Sequence, residues 1–364
     1  LRLIFQQEEN KSTKSSAMPE DPINHIDFDD LNKRAISSPL VTHIYTADPS
    51  AHVFDGKIYI YPSHDIDAGD AFDDLGSHFA MEDYHVLSMD SPEATTATDH
   101  GVALHLNDVP WAAKQLWAPD AAEKDGKYYL FFPAKDHTGI FRIGVALSDS
   151  PIGPFIPQPQ PIQKSFSIDP AVFRDDDGKY YMYFGGIWGG QLQRWRTGVF
   201  NPEQPESPFA FLPADHEPAL CAKVARLTDN LLEFVEDACD LIILDENGHA
   251  LLQGDTDRRF FEASWMHKHK GTYYFSWSTG DTHYLCYATG DNPYGPFTYK
   301  GRILEPVVGW TSHHSICAYG DKWYLFYHDS SLSKGVTHLR SVKITPLQHD
   351  EYGFIKTIEP YRPV

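Results

Sequence analysis

Asp125-Gly126-Lys127-Tyr128-Tyr129-Leu130 reads as a tight turn running into a strand, and the phrase does not stand alone. It appears earlier as Asp55-Gly56-Lys57-Ile58-Tyr59-Ile60-Tyr61 and later as Asp177-Gly178-Lys179-Tyr180-Tyr181-Met182. It returns as Lys270-Gly271-Thr272-Tyr273-Tyr274-Phe275 and as Gly320-Asp321-Lys322-Trp323-Tyr324-Leu325, five copies in all. An Asp-Gly pair supplies the positive φ of a two-residue hairpin turn, and the aromatic and β-branched residues after it suit a half-buried pleated surface. Each copy is therefore predicted to be the second strand of a hairpin. A longer phrase, Ser148-Asp149-Ser150-Pro151-Ile152-Gly153-Pro154-Phe155, recurs as Gly290-Asp291-Asn292-Pro293-Tyr294-Gly295-Pro296-Phe297 and is predicted to close a blade and lead into the next.

The copies recur about every 50 to 90 residues, so loop insertions must differ between units. The longest gap holds a Pro-rich stretch, 202–218, and two further strand-like runs, Val224–Leu227 and Leu241–Leu244. Five hairpin repeats with no long amphipathic helical run point to an all-β, five-bladed β-propeller, with a β-sandwich as the rival. This domain is expected to run over residues 36–364. Residues 1–35 are polar and poor in periodic apolar positions, which predicts a loosely ordered N-terminal arm.

Composition narrows the partners. A net charge of −21 argues against nucleic acid and anionic membrane surfaces, which need clustered Lys and Arg. No apolar run is long enough to span a bilayer. The opening Leu1-Arg2-Leu3-Ile4-Phe5 is too short for the apolar core of a signal peptide. Cys221, Cys239, Cys286 and Cys317 show no C-x-x-C spacing, so zinc and redox motifs built on it are absent, and a Cys221–Cys239 disulfide stays open. Compartment and oligomeric state also stay open.

The innermost strand of each blade runs beside the axis, so the residues six to ten positions before each turn deserve comparison. They are Ala47-Asp48-Pro49-Ser50, Trp117-Ala118-Pro119-Asp120, Ile168-Asp169-Pro170-Ala171, Phe261-Glu262-Ala263-Ser264 and Ser312-His313-His314-Ser315. Four blades offer a carboxylate and the fifth a histidine. An acid inside an apolar strand costs several kcal/mol unless it is hydrogen-bonded, paired or solvated. Carboxylates converging on one axis suit glycoside hydrolysis, where one group protonates the departing oxygen and another activates water or attacks the sugar. A third carboxylate beside the acid raises its pKa by like-charge repulsion. Asp120, following Pro119, reads equally as structural or functional.

The phrases around Asp48, Asp169 and Glu262, in that order, resemble glycoside hydrolase family 43, and the resemblance runs from about Pro39 to the C-terminus. More narrowly the chain looks like the family's single-domain β-xylosidases. Tyr59-Ile60-Tyr61-Pro62-Ser63-His64-Asp65, Trp117-Ala118-Pro119-Asp120-Ala121-Ala122, Tyr183-Phe184-Gly185-Gly186-Ile187-Trp188-Gly189-Gly190 and His328-Asp329-Ser330-Ser331-Leu332 carry that likeness. The resemblance implies a five-bladed propeller acting with inversion. Asp48 would be the general base, Glu262 the general acid, and Asp169 the residue that tunes and orients the acid. Inversion places base and acid carboxyls about 6.5–9.5 Å apart. The resemblance further implies that Arg340 contacts the sugar and that His313 lies near a calcium ion on the axis. Ser312 stands where the family usually has Gly, and His314 adds a second histidine. Adjacent strand residues face opposite ways, so one of the pair reaches the channel, and His313 is the choice. With a single imidazole such an ion would be weakly bound and mostly water-coordinated.

Trp117, Phe54, Trp188 and Trp265 are the aromatic candidates for packing a sugar ring. The substrate expected first is a xylo-oligosaccharide cut by an exo-β-xylosidase. An α-L-arabinofuranosidase, alone or as a second activity, is the alternative, because the two sugars present similar hydroxyls. Retaining fructosidases share the architecture but carry an Asn-Asp-Pro-Asn-Gly-like opening and an Arg-Asp-Pro motif, where this chain has Ala47-Asp48-Pro49-Ser50 and Ile168-Asp169-Pro170. A non-catalytic sugar-binding propeller is the rival from another class, and retention of all three acids speaks against it.

Overall fold

The computed structural model describes residues 25–205, 207 and 209–364. Alternating apolar strands and Gly/Asp turns produce five sheets around one axis, antiparallel apart from one short added strand. Blade 1 holds β1 (Tyr45–Phe54), β2 (Lys57–Asp65), β3 (Asp83–Met89) and β4 (Thr98–His105). Blade 2 holds β5 (Ala112–Lys114), β6 (Asp120–Lys124), β7 (Lys127–Asp136), β8 (Phe141–Ser148) and β9 (Ile156–Pro157). Blade 3 holds β10 (Ala171–Arg174), β11 (Tyr180–Phe184), β12 (Lys223–Arg226) and β13 (Cys239–Asp240). Blade 4 adds β14 (Ile243–Leu244), parallel to its outer strand, to β15 (Glu262–His269), β16 (Thr272–Ser278), β17 (Leu285–Gly290) and β18 (Phe297–Leu304). Blade 5 holds β19 (His314–Tyr319), β20 (Lys322–Asp329) and β21 (Ser341–Leu347).

The innermost strands β1, β6, β10, β15 and β19 each touch the next, and β19 returns to β1, which closes the propeller. The segment before β1 and the first residues of β1 run along the last blade, with Leu40 N–H donating to Val342 O and Thr46 N–H to Arg340 O. All five repeated phrases form the turn between a blade's innermost strand and its neighbour, as predicted. At Asp55-Gly56 and Asp125-Gly126 both turn residues have positive φ (50° and 77°, 53° and 79°), which is why glycine stands second. The Pro-Phe phrase behaves differently from expectation. It joins the third strand of a blade to its outermost strand, β8 to β9 and β17 to β18, instead of leading into the next blade.

Fully buried Phe131, Phe132, Tyr183, Phe184, Phe275 and Trp277 fill the space between sheets; neighbours such as Phe131 and Phe132 point to opposite faces, and both faces of the blade are covered. The N-terminal arm splits. Residues 1–24 lie outside the described residues, whereas Phe28–Arg34 form helix α1, capped by the Asp27 side chain. Leu31 packs with Val308 and Tyr361, and Arg34 donates to Arg362 O, so these residues of the arm dock onto the propeller. Among the described residues, which include all four cysteines, no disulfide is present and no helix is long and apolar enough to cross a membrane.

Candidate active site

A cavity of about 180 Å³ opens at one end of the axis, and Asp48, Asp169, Glu262, His313 and Arg340 all line it. The backbone explains why these residues leave their strands. Asp48 and Asp169 each precede a proline, which lacks the ladder N–H and disfavours a helical predecessor. Both adopt left-handed conformations, with φ of 51° and 58°. The register of β1 on β2 slips between Ala47 and Ser50, and that of β15 on β16 between Glu262 and Trp265. Ala263 sits in the second irregularity at φ 65°, a conformation costing about 1–3 kcal/mol for a residue with a Cβ. Bulges of this kind re-aim side chains, and here they turn carboxylates from the blade interior toward the channel.

Asp48 is 6 % exposed and held on every side. Its carboxylate accepts from Ser63 Oγ at 2.7 Å and from Arg340 Nη1 at 3.0 Å, and His313 Nδ1 lies 3.2 Å away. Burial alone would raise its pKa, but the Arg340 guanidinium first, and then His313 by charge and hydrogen bond, outweigh it and hold the carboxyl well below the usual range. His328 accepts the Asp48 backbone N–H through Nδ1 at 3.0 Å, so its Nε2 carries the proton toward Thr311. Burial first, then Arg340, keeps this imidazole neutral, with a pKa of about 3.

Glu262 has the opposite environment. Burial, with the nearby charges of Asp169 and Asp48, raises its pKa well above the normal value, and Arg340 only partly opposes this. Asp169 is pushed up to about 6, chiefly by burial, and its Oδ2 accepts the Ala263 N–H at 2.8 Å, which ties blade 3 to the residue after Glu262. Burial lowers the His313 pKa, but Asp169 and Asp48 beside it outweigh burial and raise it. Two carboxyl groups in one cavity are thus driven apart, Asp48 toward the anion and Glu262 toward the acid, the arrangement that acid–base chemistry needs.

Arg340 is set by Asp65, whose carboxylate takes Nε and Nη2, both at 2.8 Å, while Nη1 serves Asp48 and Thr311. Its guanidinium also lies 4.9 Å from the centre of the Phe79 ring. Asp65, Ser63, Thr311 and His328 were not among the residues predicted for the site. Ser63, Asp65 and His328 lie within phrases quoted for their likeness, but nothing local in the sequence pairs them with Asp48 or Arg340.

The remaining candidates divide. Trp117 lines the cavity and donates Nε1–H to Phe79 O at 2.9 Å, and Trp188 lines it while packing on Phe261 and Trp310. Phe54 does not line it. Phe54 stands at the turn end of β1, stacked on His52 and edge-on to Tyr128, because the inner strand carries it along the axis away from Asp48. Trp265 is core, its Nε1–H donating to Ile316 O. Asp120 is structural, accepting from His52 Nε2, Ala121 N and Val172 N at 2.6, 2.7 and 2.6 Å. His314 bonds Ser276 Oγ at 2.6 Å, while His313 faces the cavity.

One side of the cavity is closed by contact between blades. Residues 66–82, between β2 and β3, bring Phe72, Leu75 and Phe79 to its wall. Gly189 meets this loop so closely that a Cβ there would lie 2.4 Å from Leu75 O.

The sequence model for glycosyl hydrolases family 43 matches residues 36–201. Xylosidase/arabinosidase 43A of Humicola insolens is 59 % identical over 329 residues, which cover 89 % of this chain and 99 % of that protein. A β-xylosidase of Xylanibacter ruminicola is 56 % identical, over 86 % of this chain and 97 % of its own. Among solved structures, a family 43 β-xylosidase/α-arabinofuranosidase from a compost microbial metagenome, in complex with xylotriose and calcium-free, superposes with a TM-score of 0.87. It is 65 % identical, covering 90 % of this chain and 98 % of that one.

Proposed function

The chain belongs to glycosyl hydrolase family 43, and from that premise we propose that it removes β-linked D-xylose from the non-reducing ends of xylo-oligosaccharides with inversion, and also cleaves α-L-arabinofuranosides at the same site. Hydrolysis of a glycosidic bond needs one carboxyl that arrives protonated and one that arrives ionised. A single observation carries this reading: Asp48 and Glu262 line one cavity, and their surroundings drive their protonation in opposite directions.

In this reading Glu262 gives its proton to the glycosidic oxygen as the bond to the anomeric carbon breaks. Water attacks that carbon from the opposite face and passes a proton to Asp48. The product leaves as α-xylose, with Glu262 ionised and Asp48 protonated until solvent exchanges both. A strongly stabilised anion is a weak base, but water bonding to an oxocarbenium-like carbon becomes strongly acidic, so a weak base suffices. Asp169 keeps the proton on Glu262 through its charge and fixes the strand through Ala263 N–H. Arg340 and His313 hold Asp48 ionised and aimed. The contact of the 66–82 loop with Gly189 supports a blind pocket, which suits removal of terminal sugars. Trp117 and Trp188, with Phe72, Phe79, Phe261 and Trp310 beside them, are the aromatic faces available to the ring. The pairing of xylosidase with arabinosidase in the names of similar proteins favours the second activity.

Calcium enters this reading only weakly. A calcium ion takes six to eight oxygen ligands. The donor that the axis offers at the expected place is the His313 imidazole, already 3.2 Å from Asp48 Oδ1 and raised in pKa by two aspartates. These residues do not make an oxygen cage, and an ion there would be held mostly by waters. No catalytic step is routed through it.

Proton NMR of xylobiose hydrolysis tests the proposal by the anomer released first. Early α-xylose, with turnover reduced about 10²–10⁴-fold in Glu262→Ala and Asp48→Ala, is the expected result. Early β-xylose would mean retention and would remove Asp48 from the role of base. Turnover of arabinofuranosides alone would leave the second activity as the function.

A further inference from the structure

Blade 1 carries a second constellation that the hydrolysis does not use. His64 is next to last in β2 and Asp83 opens β3, so together they form the neck of the 66–82 loop that walls the cavity. His64 Nδ1 lies 2.5 Å from Asp83 Oδ1. His85, two residues along β3 and on the same face, brings Nε2 to 3.8 Å from the same oxygen. The two imidazole rings stand edge to face with centroids 4.5 Å apart. One nitrogen from each histidine and one Asp83 oxygen all lie within 4.8 Å of one another, and the side chains stay 11–18 % exposed, within reach of solvent.

The surroundings prepare these atoms for a cation. Asp99 Oδ1 accepts His85 Nδ1–H at 2.8 Å, which leaves the lone pair on Nε2, the nitrogen facing Asp83. Asp99 is itself fixed by Gly101 N–H at 2.8 Å and by His43 Nε2 at 2.7 Å. A carboxylate behind an imidazole, holding its tautomer and orientation, is the usual support of a metal-ligating histidine. Two imidazoles and one carboxylate match zinc, with the fourth position left to water, and do not match calcium or magnesium. Tetrahedral zinc sets its ligand atoms about 3.3 Å apart, within the spread found here, so small side-chain rotations complete the site.

We propose that His64, Asp83 and His85 form a zinc site at the neck of the cavity-walling loop. Zinc there replaces the proton between His64 and Asp83 and staples β2 to β3 where the loop leaves the blade. The next residue, Asp65, holds Arg340, which holds Asp48, so occupancy at the neck stiffens one wall of the active site.

The test uses the full chain without an affinity tag, stripped with EDTA and titrated with zinc chloride by calorimetry and thermal denaturation. One saturable site per chain and a Tm that rises with zinc are expected. His64→Ala and His85→Ala each abolish both signals, Asp99→Asn weakens binding about 10–100-fold, and His137→Ala, outside the cluster, leaves it unchanged. Cobalt(II) reads the geometry without any variant, through the intense visible bands of a four-coordinate site. No saturable binding, binding that survives His64→Ala with His85→Ala, or six-coordinate cobalt in the wild type would each overturn the proposal.

Discussion

Blades 2 and 3 each bring an aspartate to the axis beside a proline, Asp120 after Pro119 and Asp169 before Pro170, and both are buried. Their surroundings differ. Asp120 is saturated: His52, Ala121 N–H and Val172 N–H all point at it, and it knots three inner strands together. Asp169 receives one backbone N–H, from Ala263, and its pKa climbs to about 6 because burial is not repaid by donors. Asp120 does not line the cavity, and Asp169 does. A buried carboxylate supplied with donors is a fastener, and one left short of them pushes protons onto its neighbours.

Removing each aspartate should separate the two kinds. Asp120→Ala strands the donors of three strands at once, and unfolding by denaturant should show a loss of about 3–5 kcal/mol while kcat per folded molecule stays near wild type. A collapse of kcat in the fully folded variant would make Asp120 functional and erase the contrast. Asp169→Asn should do the reverse, lowering kcat/KM about 10²-fold without unfolding the chain, since Asn still accepts the Ala263 N–H. Its pH profile carries the sharper information. Without the Asp169 charge, Glu262 loses its proton more readily, so the basic limb of kcat/KM should move to lower pH. An unmoved limb would leave Asp169 a purely positional residue.

The smallest effect lies in stability. Asp169 has a folded pKa of about 6, raised from 3.8, so the unfolded chain releases this proton first as pH rises. Stability therefore falls between those values, and the cost is fully present above the higher one. Asn carries no such proton. The variant should match wild type near pH 4 and exceed it by about 1–3 kcal/mol at pH 7, read from denaturation at the two pH values. Equal stability at both would mean that Asp169 is solvated well enough to ionise freely.

The same contrast explains what could be read from the chain. The five Gly/Asp turns and their aromatic strands gave the hairpins and their number, because a tight turn and a two-residue side-chain period are local properties. The carboxylates facing the axis were legible for the same reason, each standing a short way before its turn. Phe54 was misplaced because its aromatic character is visible in sequence, whereas its distance along the strand from Asp48 becomes decisive only once the cavity is known to open at the other end. The docked helix at Phe28–Arg34 escaped notice because one buried leucine and one capping aspartate are a faint signal in a polar segment.

The sequence by itself determined the architecture, the acids on the axis and the family. Tertiary structure alone decided which aspartate is a fastener, that Asp65 aims Arg340 at Asp48, and that the 66–82 loop meets Gly189 to close one side of the pocket. The reason is separation along the chain. Arg340 lies 292 residues from Asp48 and 275 from Asp65, and Ala263 lies 94 from Asp169. A carboxyl's charge state follows from the donors and charges that surround it in space, and a propeller assembles those from blades that no local pattern relates.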